Sequence, residues 1–274
     1  MRAPGKGKSA GEADLIGEHP AMRRILDTQR AWVDAGRVLA YRTAVELDLI
    51  KHSTDPTVAA TAQRWCALVT PVMKSVFTHQ AFHGGSDCLQ VFGGHGYVRE
   101  WGMEQFVRDS RIAMIYEGAN GVQAMDLCGR KLAMNGGKAI QAFFAMIDEE
   151  ISAAKQVDEL KPVAERLEKA LGDQKAATMW FMQNAMANPN NLGAGAYPYM
   201  TLTGIVSLGL MWLRIAKVAS AAIANGADDT AFYEAKLACA RHCPLQHVQI
   251  AIGIAERRHQ FAIVEQFRVP AQRE

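Results

Sequence analysis

Apolar residues recur every three or four positions along most of this chain, and this spacing restricts the fold more than any other feature. Such spacing marks one face of an α-helix, whereas a half-buried strand alternates apolar and polar residues. No stretch shows convincing strand alternation and no tandem repeat is present, so the sequence predicts an all-α fold. The first stripe comprises Met22, Ile25, Leu26, Trp32, Val33, Leu39, Leu47 and Ile50.

Breaks in this pattern divide the chain into two helical units. Glycine and charged residues dominate up to Gly17, so residues 1–17 are predicted to be a flexible leader. The best internal boundary is Asn135-Gly136-Gly137. We therefore predict a helical bundle over residues 18–135 and a second helical extension domain over residues 138–274.

The breaks also predict individual helices. In the bundle, Pro20 suits the first turn of a helix, and a second apolar run ends near Phe82. A short helix is predicted inside the glycine-rich segment 83–102. Further helical patterns cover residues 103–115, 120–133, 138–155, 159–186, a strongly apolar run to 225, and 230–267.

Charge, hydropathy and cysteine count exclude several classes of protein. The 274 residues carry 30 Lys and Arg against 28 Asp and Glu, with the basic residues scattered, so no nucleic-acid partner is expected. We expect no apolar run to reach the ~20 residues of a membrane-spanning helix, so no membrane partner is predicted. Five cysteines without framework spacing predict reduced thiols and a cytoplasmic location.

A single carboxylate, Glu117, follows the apolar stretch 112–116 and precedes Gly118. A carboxylate at the end of an apolar helix is costly to desolvate, and enzymes use that setting for a general base. Gly118 and Gly121 leave room for a planar ligand against the backbone. Amides at the start of the next helix are free to meet an anion or a carbonyl oxygen. The pattern alone nevertheless favours an ordinary surface glutamate that ends a helix before a turn.

Three ordered motifs favour the functional interpretation. They are QVFGGHGY at residues 90–97, RDSR at 108–111 and IYEG at 115–118. Together they resemble the C-terminal helical domain of the acyl-CoA dehydrogenases. AGAYPYMTLTG and FYEAKLACAR, further along the chain, resemble the C-terminal extension of the 3-methylmercaptopropionyl-CoA dehydrogenase branch of that family.

The resemblance implies that Glu117 is the catalytic base, because the glutamate of the YEG motif has that role in the family. It would remove a proton from the α-carbon of an acyl-CoA thioester while a hydride leaves the β-carbon for FAD. Hydrogen bonds from the glutamate's own backbone N–H and a flavin hydroxyl would stabilise the developing negative charge on the thioester oxygen. The predicted substrate contacts are Tyr116, Gly118 and Arg130. Arg130 is chosen because it lies a turn or more after the YEG loop, where it is the most plausible cation for the CoA.

The resemblance also implies FAD contacts and partners. Gln90, Val91, Phe92, Gly93 and Gly94 would touch the FAD bound mainly by another subunit, and bulky side chains there would hold the dinucleotide away. A second set of FAD contacts comprises Ala119, Asn120 and Gly121. Ala119 departs from the family pattern because it has no hydroxyl, so at most its backbone contact carries over. The family further implies a homodimer or higher homo-oligomer, with an electron-transfer flavoprotein as a further partner.

The N-terminal helical and middle β-domains of the family have no counterpart in the sequence. Those domains hold most of the flavin and of the acyl chain, so half of the site would bind FAD poorly. We therefore expect this polypeptide alone to show little or no dehydrogenase activity. The alternative is a non-catalytic helical oligomerisation or binding module that retains the fold.

Two groups of histidine and cysteine superficially suggest metal sites. His79 and His83 lie near Cys88 and His95, but neither group has a metal-binding motif of defined geometry. The other group is Cys239, His242, Cys243 and His247. Packing roles are the simpler interpretation, and no metal site is predicted.

Overall fold

The computed structural model describes residues 15–185 and 188–242, and every regular element within those ranges is helical. The all-α prediction is therefore confirmed. The α-helices of the described chain are α1 (Pro20–His52), α2 (Pro56–Val91), α3 (Gly94–Tyr97), α4 (Met103–Ala113), α5 (Asn120–Asp126), α6 (Lys138–Ala154), α7 (Lys161–Asn184), α8 (Pro189–Ala224) and α9 (Thr230–His242). Most of the predicted leader, and the predicted last helical region beyond residue 242, lie outside the described residues.

Helices α1 and α2 form an antiparallel pair at the start of the fold. Between them, the carboxylate of Asp55 caps α2 by accepting a hydrogen bond from the Thr57 amide at 2.8 Å. Across the pair, the buried indole of Trp65 donates to the Thr43 hydroxyl at 3.1 Å. This contact satisfies a polar group inside the core at the point where the two helices touch.

Helix α2 is longer than the sequence pattern predicts. It continues past Phe82 to Val91, through Gly84 and Gly85, so the predicted end near Phe82 is wrong. The two glycines mark close packing instead of a break, because Gly84 is buried and a Cβ at Gly85 would lie 3.7 Å from the Val107 side chain. Contacts with α4 therefore support the helix where its own glycines weaken it.

Helix α4 runs back along α2 in the opposite direction. Val107 lies beside Gly85, and one turn later the guanidinium of Arg111 lies 5.6 Å from the ring centre of Phe82. Helix α5 then packs further down α2. The chain between α4 and α5, which contains Glu117, is thus held against the middle of α2.

The predicted boundary coincides with an abrupt turn of the backbone. Asn135, Gly136 and Gly137 have φ angles of 53°, 68° and 79°, all in the left-handed region that ends helices. Before them, a π-helical turn spans Leu127–Lys131, and after them α6 begins. Three consecutive left-handed residues cannot continue an α-helix, which explains the break at this point.

Helix α8 is the centre of the whole described chain. It packs against α1, α2, α5, α6, α7 and α9, and a single buried core runs through both predicted domains. The indole of Trp212, which is only 1% exposed, donates to the Ala31 carbonyl of α1 at 3.0 Å. On the rim, Lys236 of α9 pairs with Asp34 of α1 at 2.6 Å. The second unit therefore packs directly onto the first.

By length and composition α8 could cross a membrane, contrary to the expectation that no run is long enough. In the described structure, 61% of its most apolar window is buried against neighbouring helices. A helix that is apolar all round is equally typical of the centre of a soluble bundle. The burial favours that second interpretation for α8.

The contact between α8 and α2 gives a first prediction. A Cβ at Gly204 would lie 2.5 Å from Val76 of α2, whereas a Cβ at Gly172 of α7 meets nothing within 4 Å. We expect Gly204→Ala to lower the free energy of unfolding by about 1–3 kcal/mol through overpacking. The matched change Gly172→Ala should instead raise the free energy of unfolding by up to about 1 kcal/mol. At an exposed position inside a helix, alanine has a higher helix propensity than glycine.

Thermal and urea unfolding followed by circular dichroism would measure both variants. Equal stability of the Gly204→Ala protein and the parent would show that α2 and α8 can separate without loss, contrary to the packing described here.

Candidate active site

The candidate site is built on the loop between α4 and α5. Helix α4 ends at Ala113, and the loop is closed by a hydrogen bond from the Asn120 amide to the Met114 carbonyl at 3.0 Å. Inside the loop, Glu117 has a φ of 52° and Gly118 a φ of 85°. A left-handed conformation is costly for a residue with a side chain, and such residues concentrate at functional sites. Asn135 is the other non-glycine residue with a positive φ in the described chain, but asparagine adopts this conformation readily and glutamate does not. The backbone therefore marks Glu117, as the YEG motif does.

The side chain of Glu117 is exposed on the surface of the single chain. Its neighbours Ile115 and Tyr116 are each 51% exposed, although both are large and apolar. The sequence led us to expect a poorly hydrated carboxylate, and the described residues do not shield it. Any shielding would have to come from outside the described residues.

A buried polar cluster lies directly behind this loop. Asn120 is 3% exposed, and its side-chain oxygen accepts a hydrogen bond from the Lys74 ammonium at 2.9 Å. The same oxygen lies 3.0 Å from the Thr78 hydroxyl, and the amide nitrogen donates to the Ser75 carbonyl at 3.0 Å. The Asn120 side chain is therefore turned toward α2, and a cofactor contact at this position would use the backbone.

Lys74 is the residue of this site that sequence reasoning missed. Burial lowers the pKa of Lys74, and the nearby Glu117 carboxylate partly opposes that effect. The available signal was a lone cation in the otherwise apolar stretch PVMKSVF of α2, residues 71–77. A lysine on a helix face that packs against other helices needs a partner.

The glycines of the loop differ in their surroundings. At Gly118, an added Cβ would lie 2.6 Å from the Gln123 side-chain nitrogen, and the positive φ disfavours any other residue. At Gly121, in contrast, a Cβ would meet nothing within 4 Å. Gly118 therefore shapes the loop, whereas Gly121 leaves open space in front of α5. The side chain of Ala119 makes no cap to that helix.

The glycine segment 90–94 forms the other end of α2. Gln90 is exposed, Val91 ends the helix, and Phe92 follows with 46% of its surface exposed. Gly93 has a φ of 60°, and a Cβ at Gly93 or Gly94 would meet nothing within 4 Å. At this end of α2, the backbone of Gly93 and Gly94 is therefore accessible beside the exposed ring of Phe92.

The open glycines suit a ligand such as FAD. Gly93, Gly94 and Gly121 border space that the described chain does not fill, so a flat ring system or a dinucleotide could lie against the backbone at each. These residues fit the cofactor that the sequence motifs imply. Their role as FAD contacts stays a prediction.

The two segments do not meet within one chain. Thr78, beside the Glu117 loop, and Gln90 are twelve residues apart on the same helix, which corresponds to roughly 18 Å along its axis. No side chain spans that distance. One chain therefore presents two separate surfaces, and the role of residues 90–94 beside a cofactor held mainly by another subunit stays a prediction.

Arg130, the predicted CoA contact, lies in the π-helical turn. Its side chain is 73% exposed and pairs with Asp126 one turn earlier at 2.6 Å. A π-turn often marks a functional position in a helix, but an exposed ion pair within one helix is weak and easily exchanged. Arg130 could thus release Asp126 for a phosphate, and its assignment stays a prediction.

The histidines near the glycine segment have packing roles. His79 shares a hydrogen bond of 2.9 Å with the Tyr197 hydroxyl of α8, and its ring centre lies 4.2 Å from that of His83 with the two rings tilted by 39°. Within the described residues, no three of His, Cys, Asp or Glu are grouped to hold a metal ion. The second proposed cluster falls partly outside these residues, because Cys243 and His247 are not described.

Comparisons with known proteins identify related families. Residues 8–132 match the family described as "Acyl-CoA dehydrogenase, C-terminal domain", and residues 139–244 match "Acetyl-CoA dehydrogenase C-terminal like". The chain is 36% identical over 233 residues to 3-methylmercaptopropionyl-CoA dehydrogenase of Ruegeria pomeroyi, covering 85% of this chain and 39% of that protein. It is 32% identical over 237 residues to the broad-specificity linear acyl-CoA dehydrogenase FadE5 of Mycobacterium tuberculosis, covering 82% of this chain and 38% of that protein.

A solved structure supports the fold. The crystal structure of Caenorhabditis elegans ACDH-11 in complex with C11-CoA matches with a TM-score of 0.67 and 18% sequence identity. The match covers 90% of this chain and 42% of that one. This chain thus spans about two fifths of the length of the proteins it resembles.

The His79 contact gives a prediction for the dependence of stability on pH. Burial, and then the neighbouring His83, lower the pKa of His79 from its ordinary value of 6.5. The unfolded chain consequently binds a proton at His79 more readily than the folded chain does, so this residue lowers stability as pH falls below about 6.5. We expect His79→Gln to reduce the fall in Tm between about pH 7.5 and about pH 5.5.

Differential scanning calorimetry at several pH values would test this expectation. The matched control is His52→Gln, at the exposed end of α1, which should leave the fall in Tm as it is in the parent. A His79→Gln protein with the parent's full pH dependence would assign the effect to other groups.

Proposed function

The chain belongs to the acyl-CoA dehydrogenase family, and from this membership we propose that it is the C-terminal helical portion of an FAD-dependent enzyme that forms a Cα–Cβ double bond in acyl-CoA thioesters. The observation that carries the proposal is the backbone of Glu117. This residue of the YEG motif has a left-handed conformation, on a loop whose Asn120 accepts a hydrogen bond from the Lys74 ammonium. The likeness to the Ruegeria pomeroyi enzyme supports 3-methylmercaptopropionyl-CoA as one candidate substrate.

Glu117 is the proposed general base. Its carboxylate takes a proton from the carbon next to the thioester, and the Cα–H electron pair becomes part of the new double bond. A bound flavin supplies the acceptor for the hydride that leaves the β-carbon. The Glu117 backbone N–H is the proposed donor to the thioester oxygen, where negative charge develops. Gly118, which has no side chain, lets the thioester lie against that backbone.

The surface around the site supports a role for a second subunit. Large apolar side chains remain exposed on α4 and on the segments before and after it, among them Phe92, Trp101, Phe106, Ile115 and Tyr116. Exposed apolar surface of this kind is typical of interfaces. We propose that a copy of the chain, or further polypeptide of the enzyme, covers it and brings residues 90–94 to a shared flavin. An electron-transfer flavoprotein is the proposed acceptor of the electrons.

Activity of the 274-residue polypeptide by itself is expected to be low. Glu117 is exposed in the single chain, and a base in contact with bulk water lacks the dry environment that strengthens proton transfer. The proposed location is the cytoplasm, which the free thiols of Cys66, Cys88, Cys128 and Cys239 support.

A second candidate function is a non-catalytic helical module for assembly or binding. The observation that favours it is Ala119, which offers no side-chain hydrogen bond where the family pattern places a hydroxyl. The colour of the purified protein separates the two. A yellow sample with a flavin spectrum supports the enzyme, whereas a colourless and stable oligomer supports the module.

The role of Glu117 gives a direct prediction. Glu117→Gln keeps the size of the side chain but removes the base, so turnover of acyl-CoA by the flavin-loaded assembly should fall about a hundredfold or more. Melting temperature should be unchanged, because the side chain is exposed.

Dye reduction that depends on acyl-CoA would measure the loss. The control is Glu149→Gln, an exposed glutamate of α6, which should retain full activity. Undiminished turnover in the Glu117→Gln protein would remove this residue from its assigned role.

The glycine segment gives a prediction for flavin binding. Because a Cβ at Gly94 meets nothing within 4 Å, a leucine there should be tolerated by the fold yet occupy the space that a flavin nucleotide needs. We expect Gly94→Leu to weaken FAD binding about fivefold or more, the effect of a steric conflict of about 1–3 kcal/mol.

Titration of the flavin-free assembly with FAD, followed by the visible absorbance of the flavin, would measure the change. Gly172→Leu is the matched control, since Gly172 also borders open space but lies on α7. Equal FAD affinity in the parent and the Gly94→Leu protein would place the cofactor elsewhere.

A further inference from the structure

Asn120 and Lys74 join the loop that carries Glu117 to helix α2. We propose that Asn120 is a positioning residue which, with Lys74 as its hydrogen-bond donor, holds Glu117 in its left-handed conformation and at a fixed place beside α2. The functional part of this inference rests on the proposed role of Glu117 as the base. The structural part, that the pair fixes the loop, can be tested independently.

The partners of Asn120 define how its amide is oriented. The Lys74 ammonium can only donate and the Ser75 carbonyl can only accept, so the Asn120 oxygen faces Lys74 at 2.9 Å and its nitrogen faces Ser75 at 3.0 Å. With a buried amide satisfied on both sides, rotation or withdrawal of the side chain would leave polar groups without partners. The position of Asn120 relative to α2 is therefore tightly determined.

Of the two donors near the Asn120 oxygen, Lys74 forms the stronger hydrogen bond and has more hydrogens available. The Thr78 hydroxyl lies 3.0 Å from that oxygen but also 2.8 Å from the Lys74 carbonyl, and it has only one hydrogen to donate. The ammonium has three hydrogens, and its charge makes its hydrogen bond to Asn120 the stronger one. Loss of Lys74 should consequently disturb the loop more than loss of the Thr78 hydroxyl.

The constraint reaches Glu117 through a short stretch of chain. The Asn120 amide closes the loop on the Met114 carbonyl at 3.0 Å, and Glu117 lies midway between these two residues. A left-handed glutamate would relax toward an ordinary conformation if one end of the loop were free. In addition, the Lys74 ammonium is close enough to Glu117 for their charges to interact. One lysine thus anchors the loop and attracts the carboxylate that the loop presents.

Precise placement matters for the proposed chemistry. A general base works only within hydrogen-bond reach of the proton that it removes, and small displacements of a reacting group cause large losses of rate. The base here lies on a loop and not within a helix, so its placement needs support from a neighbouring rigid element. Helix α2 gives that support through Lys74 and Ser75.

Amide hydrogen exchange of the full chain, measured by mass spectrometry, tests the anchor without any need for activity. In Asn120→Ala and in Lys74→Met, we expect peptides covering residues 112–121 to exchange about tenfold faster or more. Peptides from α6 and α7 should keep the exchange rates of the parent. Lys74→Arg should retain most of the parent's protection from exchange, because arginine can also donate to the Asn120 oxygen.

Thr78→Val tests the second donor near Asn120, and Thr70→Val is its matched control. Both threonines bond to the carbonyl four residues earlier in α2, but only Thr78 lies against Asn120. Thr78→Val should accelerate exchange of the loop modestly, and Thr70→Val should not change it. Unchanged exchange of the loop in Lys74→Met, or equally faster exchange throughout the protein, would overturn the positioning role.

Steady-state kinetics of the flavin-loaded assembly separate this inference from the proposed function. Lys74→Met should lower kcat about tenfold or more with little change in KM, and Lys74→Arg should recover most of it. Glu117→Gln could retain activity while the loop in the Lys74→Met protein still exchanges faster. In that case the proposed function is wrong, but the structural role of Asn120 and Lys74 is supported. If Glu117→Gln is inactive and Lys74→Met has full kcat, the positioning role fails alone.

Discussion

The burial of α8 is the packing constraint on which the rest of the structure depends. This helix is apolar around most of its surface, and six other helices cover it. Its approach to α2 is close enough that Gly204 has no room for a side chain beside Val76. Val76 directly follows Ser75, the residue whose carbonyl holds the Asn120 amide. Packing of α8 therefore fixes the segment of α2 that in turn fixes the candidate base.

Helical periodicity is enough to predict the class of this fold, because burial of an apolar stripe determines where most helices run. It fails at Gly84 and Gly85, which do not break the helix because they allow close contact with Gln29 of α1 and Val107 of α4. Local pattern contains no information on which helix will lie opposite a glycine. The family motif similarly points to Glu117, but the anchor at Lys74 depends on a contact between residues 46 positions apart. Single-sequence reasoning cannot foresee a contact of that kind.

The site presents one carboxylate and several bare glycines, and the described chain leaves all of them open. Elsewhere, polar groups such as the hydroxyl of Thr43 and the indoles of Trp65 and Trp212 are satisfied within the core. Completion of the surface by other polypeptide is the simplest account of this contrast. It also agrees with the extent of the match, since the chain aligns with about two fifths of its relatives.

The length of helix α2 determines the distance and the relative orientation of the Glu117 loop and the glycine segment 90–94. Each residue of an α-helix adds about 1.5 Å of length and about 100° of rotation. Removing a single residue between Thr78 and Gln90 would barely shorten the helix, yet it would swing residues 90–94 to a different side of the bundle. The number of residues in this stretch is thus restricted by geometry even where their identity is not. Substitution at the exposed positions of this stretch keeps the geometry, whereas insertion or deletion changes it.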